Sequence, residues 1–279
     1  MTYHDTTSRR RVLVTGAAGR IGSYFAAHAH RTYDLRLMAR ETDGATAALQ
    51  PFGEVVNGDL GDLERLKELC RGADTVLHLA ANAGAGTVWR SLLDNNIIGT
   101  YNLFVAAKAT GCRRVVFASS IHAVSGYAPD VQVKTGEPVN PSDLYGVSKC
   151  FGEALGRYMA EQEGLSVIAI RVGAFQPLDA ARIENNVRLL DAFVSHRDLQ
   201  QLIERCIEAE SVRFAILHGL SNNRFKRLDI ADARALVGYA PQDDFTAEHP
   251  QLKGLNLRRG ISTHSLADER QASGLREEL

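Results

Sequence analysis

Tyr145 and Lys149 stand four residues apart, a spacing that puts a phenol and an ammonium on one face of a helix. A nearby ammonium favours the phenolate, so the pair predicts a general base that takes the proton of a hydroxyl while hydride leaves its carbon. Upstream, the strand-like Val115-Val116-Phe117-Ala118 ends in Ser119-Ser120. Open α/β sheets place their ligands at strand carboxyl ends, where a serine hydroxyl can hydrogen-bond a reacting oxygen. A third group, Thr15-Gly16-Ala17-Ala18-Gly19-Arg20-Ile21-Gly22, follows directly on the apolar Arg11-Val12-Leu13-Val14. Glycines three apart at a first strand-to-helix turn predict a backbone that approaches a pyrophosphate, with the next helix's N-terminus aimed at the anion. Taken singly, the Tyr/Lys pair is equally a surface helix pair and the glycines equally a tight turn. Together they point to nucleotide-dependent hydride chemistry.

These residues need a scaffold that brings three distant segments to one edge. Short apolar runs at Val12 to Thr15, Asp34 to Ala39, Glu54 to Asn57, Thr75 to Leu79, Arg114 to Ser119 and Ser166 to Val172 alternate with helical patterns. The helices are expected near Ile21 to Arg31, Leu63 to Arg71, Asn95 to Thr110 and Leu144 to Glu163. Such alternation predicts an α/β fold with a doubly wound parallel sheet, a Rossmann fold. Residues 1–177 are expected to form this nucleotide-binding domain. A small C-terminal lobe over 178–242, with a helix from Arg197 to Ala209 and a short strand from Arg213 to His218, is expected to cover the substrate. The stretch 243–279 reads as a polar tail.

The chain has 279 residues, 45% of them hydrophobic, and a formal net charge of -1, which suits one sizeable core and does not call for nucleic acid or an anionic membrane. Cys70, Cys112, Cys150 and Cys206 are scattered without metal-ligand spacing, so no disulfide framework and no metal site are expected and a reducing cytoplasm is the expected home. The polar N-terminus lacks an apolar leader core, and no stretch reaches the length of a membrane span.

The ordered set Gly16 to Gly22, Asp59-Leu60, His78-Leu79-Ala80-Ala81, Asn96 to Thr100, Ser119-Ser120, Tyr145 to Lys149 and Arg171-Val172-Gly173 resembles the extended short-chain dehydrogenases/reductases, the NAD-dependent epimerase/dehydratase family. The resemblance implies that Tyr145 is the acid/base, that Lys149 lowers its pKa and holds the nicotinamide ribose, and that Ser120 binds the reacting oxygen. It implies cofactor contacts from Gly16, Gly19, Arg20, Ile21, Gly22, Asp59, Leu60, Leu79, Ala80 and Ala81, with Asn96 bracing the active-site helix. Within the branch, Tyr145 to Glu153, Asn185 to Leu190 and Ser195 to Asp198 are similar to the uronate dehydrogenases, which oxidise the anomeric carbon of a hexuronic acid to a lactone. That similarity implies Arg188 as the carboxylate anchor and Ser120, Ile121 and His122 as substrate contacts. Arg188 as a surface charge and His122 as a structural group remain the alternatives. Ala83, Ile121 and Ala174 depart from the small polar residues of those enzymes, so the expected substrate is a less hydroxylated or differently substituted sugar acid, a phosphorylated or sulfonated sugar, or another polyol. Long helices like those of the branch's four-helix interfaces imply a homodimer.

Cofactor choice is read at the end of the second strand. Ala39 occupies the acidic position expected of NAD enzymes and Arg40 follows, which favours NADP with Arg20 adding positive charge; Glu41 binding NAD is the alternative. An epimerase shares these motifs but needs a longer C-terminal domain for its nucleoside diphosphate, and a non-catalytic binder would not need Tyr145 and Lys149. A net dehydrogenase is the expected activity, with an epimerase or a silent NADP-binding protein as rivals.

Overall fold

The computed structural model describes residues 9–40, 46–83 and 86–255. Nine strands are formed among the described residues: β1 (Arg11–Thr15), β2 (Asp34–Ala39), β3 (Glu54–Asn57), β4 (Thr75–His78), β5 (Arg114–Ser120), β6 (Ser166–Val172), β7 (Ala174–Gln176), β8 (Phe193–Ser195) and β9 (Phe214–Gly219). The helices are α1 (Arg20–Ala29), α2 (Leu63–Cys70), α3 (Trp89–Leu92), α4 (Gly99–Ala109), α5 (Leu144–Glu161), α6 (His196–Glu208), α7 (Ala231–Val237) and α8 (Phe245–Glu248). Seven strands pair in parallel in the order β3-β2-β1-β4-β5-β6-β9, and β7 pairs with β8 in a separate ribbon. The chain leaves β1 toward one edge and returns at β4 toward the other. The strand carboxyl ends diverge there, opening the crevice in which such sheets bind ligands.

Alternation along the strands supplies both faces of the sheet with apolar groups. Val12 and Val14 of β1 pack with Phe25 of α1 and Leu202 of α6 on one side, while Leu13 packs with Leu66 of α2 and Phe104 of α4 on the other. Each such fully buried leucine or phenylalanine stabilises the fold by about 1.5–3 kcal/mol. Asp143 caps α5 by accepting from the Gly146 N–H at 2.7 Å, and Ser195 caps α6 in the same way through Asp198. Gly152 sets how closely α5 meets the sheet: a Cβ there would lie 2.3 Å from the Phe117 ring. That contact brings the first turns of α5, with Tyr145 and Lys149, down onto the end of β5.

Two expectations about the C-terminal part change. The strand assigned to the lobe is β9, the seventh strand of the main sheet, and α6 packs on the same face as α1, so the sheet does not end at Pro177. Its β-branched and leucine content was too short a run to reveal a pairing with β6. The tail also begins later than residue 243. Phe245 is fully buried against Ala181 and Phe193, Asp243 pairs with Arg197, and the Gln242 N–H donates to Asp198 at 2.8 Å. The scarcity of apolar residues hid this packing because ion pairs, caps and hydrogen bonds to Asp198 and Asn223 carry much of it. Residues 256–279 of the expected tail lie outside the described residues.

Candidate active site

The glycine turn runs straight off β1. Gly16 has a positive φ of 67°, and a Cβ on it would lie 2.8 Å from the Ala80 backbone nitrogen, so only glycine lets this turn sit against the end of β4. Gly19 precedes α1, whose first N–H groups, from Arg20, Ile21 and Gly22, have no partner within the helix. A cavity of ≈ 130 Å³ beside the turn is lined by Gly16, Arg40, Asp59, Leu60, Ala80 and Ala81, together with Met38 and Asn95. A second cavity of ≈ 330 Å³ also includes Ala81 and Leu79 and extends past Ile21 to Ser120, Tyr145 and Lys149. The two cavities meet at Ala81 and make a trough across the switch point. Its glycine cradle, helix N-terminus and apolar side pocket fit a dinucleotide with its nicotinamide toward Tyr145.

Ser120, at the end of β5, and Tyr145 and Lys149, in the first turns of α5, line one cleft. All three are buried. Lys149 donates from Nζ to the Ala118 carbonyl at 2.8 Å and lies 5.1 Å from the Phe117 ring centroid and 5.5 Å from that of Tyr145. Burial lowers its pKa to about 8, with the Glu153 carboxylate acting in the opposite direction. The Tyr145 phenol is pushed up by burial, against the effect of its hydrogen bond with Ser120, and the Asp143 charge adds to the rise. The expected lowering by Lys149 is therefore not the governing effect on this phenol, because the ammonium is directed at the Ala118 carbonyl and not at the phenol oxygen.

A buried ion pair stands behind the cleft. Arg171 donates from Nε and Nη2 to the two oxygens of Glu153, each at 2.9 Å, and the Ser119 hydroxyl donates to Glu153 at 2.6 Å. Sequence reading assigned Glu153 no role, although it lies one helical turn beyond Lys149 on the same face, the signal that would have found it. On the neighbouring strand His78 faces Thr15 at 2.8 Å and Thr100 at 3.4 Å. Burial, with the Lys149 charge adding to it, lowers the His78 pKa to about 3, so this ring is neutral and structural at working pH.

The other expected contacts divide. Asn96 sits in a π-helical turn, Leu93–Ile98, where its amide donates to the Asn82 carbonyl and to Ser148 and its oxygen accepts from the Asn82 N–H. It braces α5 and lines neither cavity, whereas the adjacent Asn95 lines the smaller one. Arg20 points away from Arg40: its guanidinium donates to the Phe175 carbonyl at 2.8 Å and lines the cleft with Tyr145. It adds charge at the reactive end and not at the ribose 2′ position, because the first residue of α1 faces β7. Ile121 packs into an apolar cluster with Val124, Leu220 and Ile230, as an aliphatic side chain in reach of one does. Ala83 and Ala174 do line the cleft. His122 holds Asp143 at 2.7 Å and lies edge-on to the Tyr145 ring. Arg188 is exposed on the turn Glu184–Leu189, outside the cleft lining and with no ion pair among the described residues. Glu41 lies outside the described residues.

The sheet order, the dinucleotide trough and the Ser/Tyr/Lys cleft define a nicotinamide-dependent α/β enzyme. The NAD dependent epimerase/dehydratase family matches residues 12–176, and the chain belongs to that family. It is 36% identical over 258 residues to the NAD-dependent glucose-6-phosphate dehydrogenase of Haloferax volcanii, covering 86% of this chain and 97% of that one. It is 33% identical over 254 residues to the L-arabinose 1-dehydrogenase (NAD(P)(+)) of the same organism, covering 84% and 97%. Among solved structures, uronate dehydrogenase from Agrobacterium tumefaciens superimposes with a TM-score of 0.76 at 32% identity, covering 95% of this chain and 93% of that one. Among the described residues no helix is long and apolar enough to cross a membrane.

Proposed function

We propose that this chain is an NAD(P)-dependent dehydrogenase that oxidises a cyclic sugar or sugar acid at its anomeric carbon. The observation that carries the reading is the single cleft in which Ser120, Tyr145 and Lys149 meet the end of the dinucleotide trough. The relatives named for glucose-6-phosphate, L-arabinose and uronate share only an aldose-type ring, and oxidation of such a ring at C1 gives a lactone. A nicotinamide held along the trough from Gly16 to Tyr145 would supply the hydride acceptor. Ser120 donates a hydrogen bond to the reacting oxygen and Tyr145 takes the proton that this oxygen loses. Lys149, charged below about pH 8 and held by the Ala118 carbonyl, keeps positive charge beside the Tyr145 ring and pre-organises the site before substrate arrives.

Arg188 anchors an acidic substituent. Its turn connects to the cleft wall through Ala192, whose N–H donates to the Leu189 carbonyl at 3.1 Å and whose carbonyl accepts from the Ala174 N–H at 2.7 Å, and its planar fork matches a carboxylate or phosphate. Loss of a charge-assisted hydrogen bond is worth about 1.5–3 kcal/mol. Arg188→Ala should therefore raise KM for an acidic sugar about tenfold or more while leaving a neutral aldose nearly unchanged; equal effects in steady-state assays would remove the anchor. The alanines at 83 and 174 leave the cleft with few partners for ring hydroxyls, which favours a substrate recognised chiefly by its charged group.

Arg40 favours NADP. It lines the smaller cavity beside Ala39, opposite the Asp59 carboxylate, and its guanidinium suits a 2′-phosphate at the position where NAD enzymes carry an acidic residue on this strand end. Arg40→Ala should raise KM for NADP about tenfold and leave KM for NAD within about twofold; parallel shifts for the two nucleotides would contradict this. We assign the substrate-covering role to the parts of 178–242 outside α6 and β9. Trp89, Ile98, Tyr101, Leu144, Val147 and Tyr158 are exposed apolar groups on α3 to α5 and the turn joining them, which supports a homodimer formed through these helices. Light scattering should give twice the chain mass, and a monomer at micromolar concentration would refute it. Four free cysteines, three of them buried, support a reducing compartment such as the cytoplasm.

A further inference from the structure

The hydride chemistry uses Ser120, Tyr145 and Lys149 and leaves the His122 imidazole and the second oxygen of the α5 cap Asp143 unused beside them. The His122 ring lies 5.3 Å from the Tyr145 ring, centroid to centroid, at 74°. Its Nδ1 faces Asp143 Oδ2 at 2.7 Å, and the other Asp143 oxygen accepts from the Gly146 N–H at 2.7 Å. Both carboxylate oxygens are thus fixed. Burial alone would raise the Asp143 pKa, but the Gly146 N–H and the His122 imidazole bring it below the usual carboxylate range, so Asp143 is ionised. An ionised partner at Nδ1 keeps the proton there and leaves Nε2 as the basic nitrogen. Nε2 has no hydrogen-bond partner among the described residues, and about a third of the side chain, 36%, is open to water.

The backbone under this ring is held firmly. The His122 N–H donates to Ser120 Oγ at 3.2 Å, its carbonyl accepts from Ser125 Oγ at 3.1 Å, and that carbonyl lies so close to Gly146 that a Cβ there would stand 2.3 Å from it. A carboxylate-oriented imidazole with a free Nε2 is the arrangement that activates water or a hydroxyl as a nucleophile. Beside it stand two hydroxyl donors, Ser120 and the Tyr145 phenol in its protonated state after oxidation. On the proposed function these two hold the oxygen of a newly formed lactone carbonyl, and they would equally hold the oxyanion formed when water adds to that carbonyl.

We propose that the His122–Asp143 pair makes this enzyme open its own lactone product, a hydrolytic second step that rests on the anomeric oxidation argued above. Water bonds through oxygen to the lactone carbonyl carbon as His122 Nε2 takes its proton. The carbonyl electron pair moves onto oxygen and is held by Ser120 and Tyr145. Collapse restores the carbonyl and breaks the bond to the ring oxygen, which receives the proton from His122. Lactone and water become the open-chain hydroxy acid, with no change of oxidation state.

The test uses the whole protein with oxidised NADP and pre-formed aldonolactones matching a panel of sugars, with proton release followed at constant pH. Hydride transfer is not needed for this readout, and it is measured separately by nicotinamide absorbance with the sugars themselves. At least one lactone should open about 10²-fold or more faster than in buffer, the lower range for a positioned acid/base. Asp143→Asn, which keeps the cap on Gly146, and His122→Gln should each bring opening to within about twofold of the buffer rate. Oxidation of a sugar without acceleration of its lactone would overturn the lactone step and leave the dehydrogenase reading intact. Acceleration that both variants retain would also overturn it. Failure of both oxidation and opening across the panel would overturn the two readings together.

Discussion

Tyr145→Phe is expected to lower kcat by about 10²- to 10⁴-fold, the contribution of a positioned acid/base, while nucleotide affinity changes by less than about threefold. On the proposed function the phenol oxygen accepts the substrate proton, and its removal leaves the ring, its burial and its packing against His122 in place. The fold should therefore be unaffected, and the trough beside Gly16, Arg40 and Ala80 should bind nucleotide as before. Steady-state kinetics with fluorescence titration of the nucleotide make the check. A variant retaining more than about a tenth of wild-type turnover would remove Tyr145 from the chemistry. Loss of nucleotide binding in parallel would instead make it a structural residue of the trough.

The largest effect on stability is expected at the ion pair behind the cleft. Arg171 and Glu153 are 1% and 3% exposed and are joined by two hydrogen bonds of 2.9 Å. Arg171→Met leaves a buried carboxylate with only the Ser119 hydroxyl and the nearby Lys149 charge, and removing one partner of such a pair costs about 3–5 kcal/mol. For a chain of this size each kcal/mol lowers Tm by about 2–4 °C, so a fall of roughly 6–20 °C is expected in thermal unfolding. Joining it with Glu153→Met should restore most of the loss, because an apolar pair of similar volume removes the stranded charge. A single variant within about 3 °C of wild type would show that water or rearrangement already relieves the site. A double variant no better than the single one would show that Glu153 is needed for its bond to Ser119.

The strands of the sheet were legible because each centres on a short run of apolar residues, largely buried in β2 and β6 and partly buried in the edge strand β3, and all three lie where their residue types put them. The glycine turn was legible for a related reason, since Gly16 sits at a φ and a distance from Ala80 that other residues do not tolerate. The triad was legible because Tyr145 and Lys149 are local on one helix, and β5 delivers Ser120 by its own length. What escaped depends on contacts remote in sequence. The π-helical turn around Asn96 exists because its amide reaches Asn82 and Ser148, which no spacing rule announces. Arg20 turns toward Phe175 because β7 follows Gly173 across the cleft, and its residue type alone suggested the other end of the cofactor. The packing of Phe245 and Asp243 depends on Phe193 and Arg197, some fifty residues earlier, so a charged stretch with few apolar residues read as a tail. The His122–Asp143 contact joins residues 21 apart across the strand-to-helix connection and was equally invisible.

Net oxidation of a sugar ring by this cleft is tested most directly by reduced-nicotinamide absorbance. Purified protein would be assayed with NAD and NADP in parallel across hexuronates, sugar phosphates, sulfonated sugars and neutral aldoses. Accumulation of reduced nicotinamide with at least one acidic sugar, faster with NADP and lost in Tyr145→Phe, is the result expected. No reduction of either nucleotide by any member of the panel, in protein that demonstrably binds the nucleotide, would contradict a dehydrogenase and leave an epimerase or a silent binder in its place.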